Sequence, residues 1–278
     1  MKNKDTKVKS VLITGGTSGL GLELVKLFLK NGYFVIATGR QLIKIEEYED
    51  KFKLIQVDFS DLNSISDTIK RITETYDCNI VINNAGVLSP PDYTSSINGF
   101  EYTLQVNYLS HLLINEIILM SAKSSDAITI AAVTSPVYRL ADSDLAIARG
   151  IDIYRALRVY TASKLYLTLM CEFLPERFPE LNLQCFSFDP GTFSSGIYRM
   201  QKSWFKGLYQ IAAPFMRSPV KVAEILFQLL NEKELMNGMI YDIRKRYRQV
   251  PLKDQLKKEA FRLACYNLIA PFINQACK

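Results

Sequence analysis

Histidine, tryptophan and clustered cysteine are what this chain is short of. Among 278 residues there is one histidine, His111, and one tryptophan, Trp204. The five cysteines (Cys78, Cys171, Cys185, Cys265 and Cys277) are widely scattered and odd in number, with no Cys-x-x-Cys and no Cys/His cluster. A zinc centre needs such ligands close together. No metal site is therefore expected, and free thiols in a reducing, cytoplasmic setting fit the pattern best. No run of about 18 apolar residues is available to cross a bilayer. The opening MKNKDTKVKS leads directly into an apolar strand, with no separate apolar region or cleavage site, so no signal peptide is expected. Long repeats, low-complexity tracts and linkers are also missing, which favours one domain over two.

What remains is the composition of a globular protein with a sizeable core, 48% hydrophobic and 22% charged. The net charge of +6 is unevenly placed: residues 1–9 carry +3 and residues 241–278 carry +6, leaving about −3 on the body between. A slightly acidic body with basic ends is not the surface of a general nucleic-acid binder. Nothing in the basic tail supplies base-reading or stacking geometry, so no nucleic-acid partner is expected.

Along the first 190 residues, short apolar runs alternate with longer helical patterns, which predicts an α/β fold with a doubly wound parallel sheet flanked by helices. Strands are expected at 8–14, 33–38, 52–58, 79–85, 127–135 and 183–189, all continuous apolar runs suited to burial on both faces. Helices are expected at about 19–30, 61–75, 100–122, 155–175 and 219–231. The first should stop at Asn31-Gly32 and the last should open after Ser218-Pro219. The segment 196–217 is rich in aromatics and methionine (Trp204, Phe205, Tyr209, Phe215, Met216) and falls between a strand and a helix. It reads either as a lid over a site or as a surface helix packing its aromatics on the core.

Directly after the first strand comes TGGTSGLG, Thr14–Gly21, which opens the first helix. Glycines at 15, 19 and 21 allow a tight turn and close approach of backbone amides to a pyrophosphate, and the helix start adds partial positive charge. Strand, glycine-rich turn and helix together point to a dinucleotide, with Gly15, Thr17, Ser18, Gly19, Leu20 and Gly21 as candidate contacts. Just past the second strand an acidic residue would hold a ribose 2′-hydroxyl, but the chain reads ATGR there. A guanidinium at Arg40 suits a 2′-phosphate, so NADP(H) is expected ahead of NAD(H). The alternative is a solvated loop charge.

In YTASK, Tyr160 and Lys164 stand four residues apart, about one helical turn, so both project from the same face. Free tyrosine titrates at about 10, and a nearby cation favours the phenolate. The pair reads as a tuned proton donor and acceptor.

Taken in order, TGGTSGLG, Asp58, NNAG (83–86), Asn107, Ser135, YTASK and Pro190-Gly191 resemble the short-chain dehydrogenase/reductase family over nearly the whole chain. Within it, INGFEYTLQVNYLSHLLI (97–114), the 25-residue spacing from Ser135 to Tyr160 and GMIYDIRKRYRQVP (238–251) resemble the retinol-dehydrogenase-like branch.

The resemblance implies a single Rossmann-type domain over 1–250, carrying the lid segment 196–217, with a C-terminal helical extension over 251–278. It implies that Asp58 meets the adenine edge with the Phe59 backbone nearby, and that Asn84, Ala85 and Gly86 wall the adenine and ribose. Pro190 and Gly191 would turn under the nicotinamide, with the Phe193 amide and Ser195 hydroxyl holding its carboxamide or the phosphates. The family usually has threonine where Ser195 stands, and often another residue where Asp189 stands. Tyr160 would be the general acid and base, and Lys164 would lower its pKa and bond the nicotinamide ribose. Ser135 would hold the substrate oxygen, and Asn107 would anchor a water linking Lys164 to solvent. His111, one turn after Asn107, reads as packing or support.

The activity implied is NADP(H)-dependent interconversion of an alcohol and a carbonyl on an apolar small molecule. The alternative is a catalytically inactive NADP-sensing regulatory protein, which would be expected to have lost Tyr160 or Lys164. Family habit suggests a homodimer or homotetramer. From about Lys253 the tail places Leu256, Ala260, Leu263 and Ala264 on one stripe with Lys257, Lys258 and Arg262 elsewhere. It reads as a helix packed on its own domain or on a second subunit, with peripheral contact to an anionic membrane as the other option.

Overall fold

A strand whose every side chain is buried belongs in the middle of a sheet covered on both faces. β1 (Ser10–Thr14), SVLIT, is such a strand. It pairs in parallel with β2 (Phe34–Gly39) on one side and β4 (Ile80–Asn83) on the other. The computed structural model describes residues 10–141, 154–193, 216–232 and 235–276. Their strands form one sheet in the order β3–β2–β1–β4–β5–β6–β7–β8, with β3 at Phe52–Gln56, β5 at Ala127–Val133 and β6 at Asn182–Asp189. β7 (Ile240–Asp242) continues it in parallel, and β8 (Tyr247–Arg248) closes it antiparallel. All six expected strands are present, and the last two are additional.

The sheet is covered on both sides. On one face α1 (Gly19–Lys30) and α6 (Pro219–Leu230) pack together through Phe28, Tyr33 and Phe227, with ring centroids 4.9 Å apart for Phe28–Phe227. α1 ends at Asn31-Gly32, and α6 opens with Ser218 accepting from the Val220 amide ahead of Pro219. On the other face lie α2 (Leu62–Thr75), α4 (Ser110–Ser121) and α5 (Ala156–Arg177). Side chains from Ser110 to Leu119 are buried all round α4, as they must be for a helix with neighbours on every side. Each fully buried leucine or phenylalanine in these layers contributes roughly 1.5–3 kcal/mol.

The expected helix at 100–122 is one continuous helical run with an irregularity. It begins as α3 (Tyr102–Leu104), passes through a wider π turn at Gln105–Leu109, then becomes α4. In that turn the Ser110 amide reaches the Gln105 carbonyl, five residues back.

α7 (Gln255–Ala276) lies on its own domain, against α2, α4 and α5. Its buried face is Phe261, Cys265, Ile269 and Ile273. Phe261 meets Tyr166 at 4.3 Å and Tyr108 at 5.9 Å between centroids. Lys258 is buried and paired with Glu172, Arg262 reaches Glu176 at 3.4 Å, and Arg177 lies 4.4 Å over the Tyr266 ring. The expected stripe of Leu256, Ala260, Leu263 and Ala264 is therefore not the packing face; Leu256 is 84% and Leu263 64% exposed. Aromatic partners in the π turn (Tyr108) and on α5 (Tyr166) select the Phe261 face instead. No described helix is long and apolar enough to cross a membrane.

Candidate active site

At the carboxyl ends of the strands, where the sheet order reverses between β1 and β4, lies a cleft of about 620 Å³. Open α/β sheets bind ligands at such a reversal because the chain leaves adjacent strands in opposite directions.

The glycine-rich turn forms part of its lining. Gly15, Thr17, Ser18, Gly19 and Leu20 all line the cleft. Ser18 gives α1 no side-chain cap, so the first amides of α1 keep their capacity for an anion. Gly15 has φ +67°, and a Cβ there would lie 2.9 Å from Ala85 Cα. Gly21 does not line the cleft. It sits one layer behind, where a Cβ would meet the Gly15 carbonyl at 2.2 Å, so its smallness serves the packing of helix on turn.

Arg40, Asp58 and Tyr102 also line the cleft. The Arg40 backbone is pinned by Gln56, whose Nε2 donates to its carbonyl at 2.9 Å, leaving the side chain exposed. Burial raises the Tyr102 phenol, and the Arg40 guanidinium beside it opposes that shift. Phe59 lines the cleft too, with its backbone carbonyl taken by Gln105 and Ser110.

Asn84, Ala85 and Gly86 form the wall beyond β4. Thr14 Oγ1 accepts from the amides of Asn84 and Ala85 at 2.8 and 2.9 Å, and Asn84 Nδ2 donates to the Thr14 carbonyl at 2.9 Å. Gly86 is where the wall meets Asn107 and Lys164. A Cβ there would approach Asn107 Oδ1 at 3.3 Å and Lys164 Nζ at 3.5 Å.

Ser135, Tyr160 and Lys164 line the same cleft. Ser135 ends the extended chain leaving β5, before a short 3₁₀ turn at Pro136–Leu140. Tyr160 and Lys164 lie on one face of α5, with Lys164 Nζ 6.0 Å from the centre of the Tyr160 ring. Lys164 Nζ donates to the Val133 carbonyl at 3.2 Å, and burial lowers its pKa from 10.5 to about 8. Asn107 is buried just behind Gly86 and does not line the cleft. Its Oδ1 accepts from the Val87 amide at 2.8 Å, and its Nδ2 donates to the Val87 carbonyl and Ser163 Oγ, both at 3.0 Å. Both ends of the Asn107 side-chain amide are thus held by protein partners, tying the wall to α5.

Pro190, Gly191 and Phe193 complete the lining. Asp189 Oδ1 accepts from the Gly191 amide at 3.0 Å and fixes that turn. Burial raises the Asp189 carboxyl, and Arg139 opposes the rise. Ser195 lies outside the described residues, as does the lid segment 196–217 apart from Met216 and Arg217. Thr14, Tyr102 and Thr192 were not among the residues expected at the site. Thr14 could have been suspected, since its hydroxyl directly follows the apolar run Val11–Ile13.

Residues 9–206 match the family model described as short chain dehydrogenase. The chain belongs to the short-chain dehydrogenase family. Retinol dehydrogenase 11 of Homo sapiens is 28% identical over 226 residues, covering 78% of this chain and 70% of that protein, and sets this family member in the retinol-dehydrogenase-like branch. The fold is shared with ElxO with NADP bound (TM-score 0.64, 20% identity, 85% of this chain and 97% of that one). It is shared equally with a short chain dehydrogenase from Leptospira borgpetersenii with bound NAD+ (TM-score 0.63, 23% identity, 87% and 94%). As a member of the family, the chain is a nucleotide-binding oxidoreductase with a Rossmann-type fold.

Proposed function

We propose that this protein interconverts an alcohol and a carbonyl on an apolar small molecule, with NADP(H) as its nucleotide. One observation carries the reading. Tyr160, Lys164 and Ser135 open onto the same cleft that the glycine-rich turn and Arg40 line. The cradle fits a dinucleotide, because the start of α1 has no side-chain cap and faces the cleft at Ser18, Gly19 and Leu20.

When bound, the nicotinamide supplies or accepts hydride. The chain's own residues handle the rest. Thr17, Ser18 and the first amides of α1 hold the pyrophosphate, and Arg40 holds the 2′-phosphate as a forked cation. With the nucleotide bound, Asp58, Asn84, Ala85 and Gly86 would wall its adenosine, and Pro190, Gly191 and Phe193 would meet its nicotinamide. Ser135 donates to the substrate oxygen, where charge develops. Tyr160 gives its proton to that oxygen in reduction and takes one in oxidation. Lys164, while protonated, favours the tyrosinate and so makes the phenol a usable acid near neutral pH. Val137, Leu157 and Leu88 add apolar surface to the lining, which supports an apolar substrate.

Tyr160→Phe tests the assignment. Turnover in a carbonyl screen with NADPH should fall by at least about 100-fold while NADPH affinity stays near that of the unaltered protein. Undiminished turnover would remove Tyr160 from the chemistry.

A further inference from the structure

His111 is fully buried and does not touch the cleft, yet both its ring nitrogens are engaged by residues of the site. Nδ1 lies 2.9 Å from the backbone carbonyl of Asn107, and Nε2 lies 3.0 Å from Thr14 Oγ1. A carbonyl only accepts, so Nδ1 must carry a hydrogen. Thr14 Oγ1 already accepts two amides, from Asn84 and Ala85, which uses both its lone pairs. Its one hydrogen therefore goes to Nε2, in preference to the more distant Ile82 carbonyl at 3.3 Å. Both nitrogens protonated would leave Nε2–H facing an oxygen with nothing to offer it. Burial independently keeps the ring neutral, lowering its pKa to about 4, and the Lys164 cation acts in the same direction. Phe59 packs edge-on to the ring at 5.4 Å.

The polar path through this ring is continuous. It runs from the Asn84 and Ala85 amides through Thr14 and His111 to Asn107. From there Asn107 Nδ2 reaches Ser163 Oγ, which donates to the Tyr160 carbonyl at 2.8 Å. We propose that His111 is a positioning residue: as a neutral Nδ1–H imidazole it holds the nucleotide wall at Asn84–Ala85 in register with the π turn and the catalytic helix. This rests on the reading of the cleft as a nucleotide site. Losing the ring removes the donor to the Asn107 carbonyl and turns the Thr14 hydroxyl to the Ile82 carbonyl, so that the wall and the helix become free to shift relative to one another.

Because His111 is the only histidine, the ring spectrum of untagged, ¹⁵N-labelled protein has one source. Nδ1 should be protonated and Nε2 bare throughout about pH 5.5–8, and both shifts should move on saturation with NADPH. His111→Phe, which keeps a ring against Phe59, should weaken NADPH binding by at least about tenfold at temperatures well below its own melting point. Should that variant not fold, His111→Gln in the same titration should show a smaller weakening, since an amide restores one of the two bonds. An Nε2–H tautomer, shifts unmoved by NADPH, or variant affinity within about twofold of the unaltered protein would overturn the proposal alone. Failure of the unaltered protein to bind NADPH or NADH would overturn the nucleotide reading and this proposal together.

Discussion

A buried ammonium works against the fold that contains it. Lys164 is 4% exposed, and its pKa is lowered to about 8 by burial, with no acidic partner among the described residues to offset it. In the unfolded chain the same group titrates near 10.5, so at neutral pH the cation is less stable folded than unfolded. Stability therefore rises with pH from about 8 to about 10.5, as the folded state gives up its proton first. Lys164→Met should raise the melting temperature of the nucleotide-free protein at pH 7, by roughly 2–4 °C for each kcal/mol regained, while abolishing turnover. The gain should shrink above pH 8. A lower melting temperature at pH 7 would mean that the Val133 hydrogen bond outweighs desolvation. The Tyr160–Lys164 relation was legible in sequence because it is local, one turn of one helix. The Thr14–His111 tie was not, since its ends stand 97 positions apart and neither type announces the other. Asn107 was found by its place in the order of motifs, but what its side chain holds depends on Val87 and Ser163, which only folding brings near.

Among the elements, α7 shows where periodicity stops deciding. Its sequence places apolar residues on more than one side; the stripe expected to be apolar was the one through Leu256 and Leu263, and the one that is buried runs through Phe261. The rings of Tyr108 and Tyr166 settle the choice from outside the helix. Phe261→Ala should cost about 3–5 kcal/mol, whereas Leu263→Ala should stay within about 0.5 kcal/mol, both read from thermal or denaturant melts. Equal losses would contradict the orientation of the helix. β7 and β8 escaped notice for another reason. They are three and two residues long, and the hairpin between them is charged; Asp242 pairs with Arg246 and Arg248 at 2.8 and 3.2 Å. The π turn likewise leaves no mark in composition, because its residues suit an ordinary helix equally well.

At the scale of the molecule, six continuous apolar runs and the helices between them made the parallel sheet readable, but not the order of its strands. That order decides where the site lies, because the cleft opens at the reversal between β1 and β4. It also brings the glycine-rich turn, Arg40 and Tyr160 to one opening from 14, 40 and 160 positions along the chain. The central claim is that this opening is built for NADP(H). The most direct measurement is a fluorescence titration of the purified protein with NADPH and NADH, repeated with Arg40→Ala. The account predicts NADPH binding that weakens at least about tenfold in the variant, with NADH binding little changed, as expected when a forked contact to the 2′-phosphate is lost. Binding of neither nucleotide would contradict it.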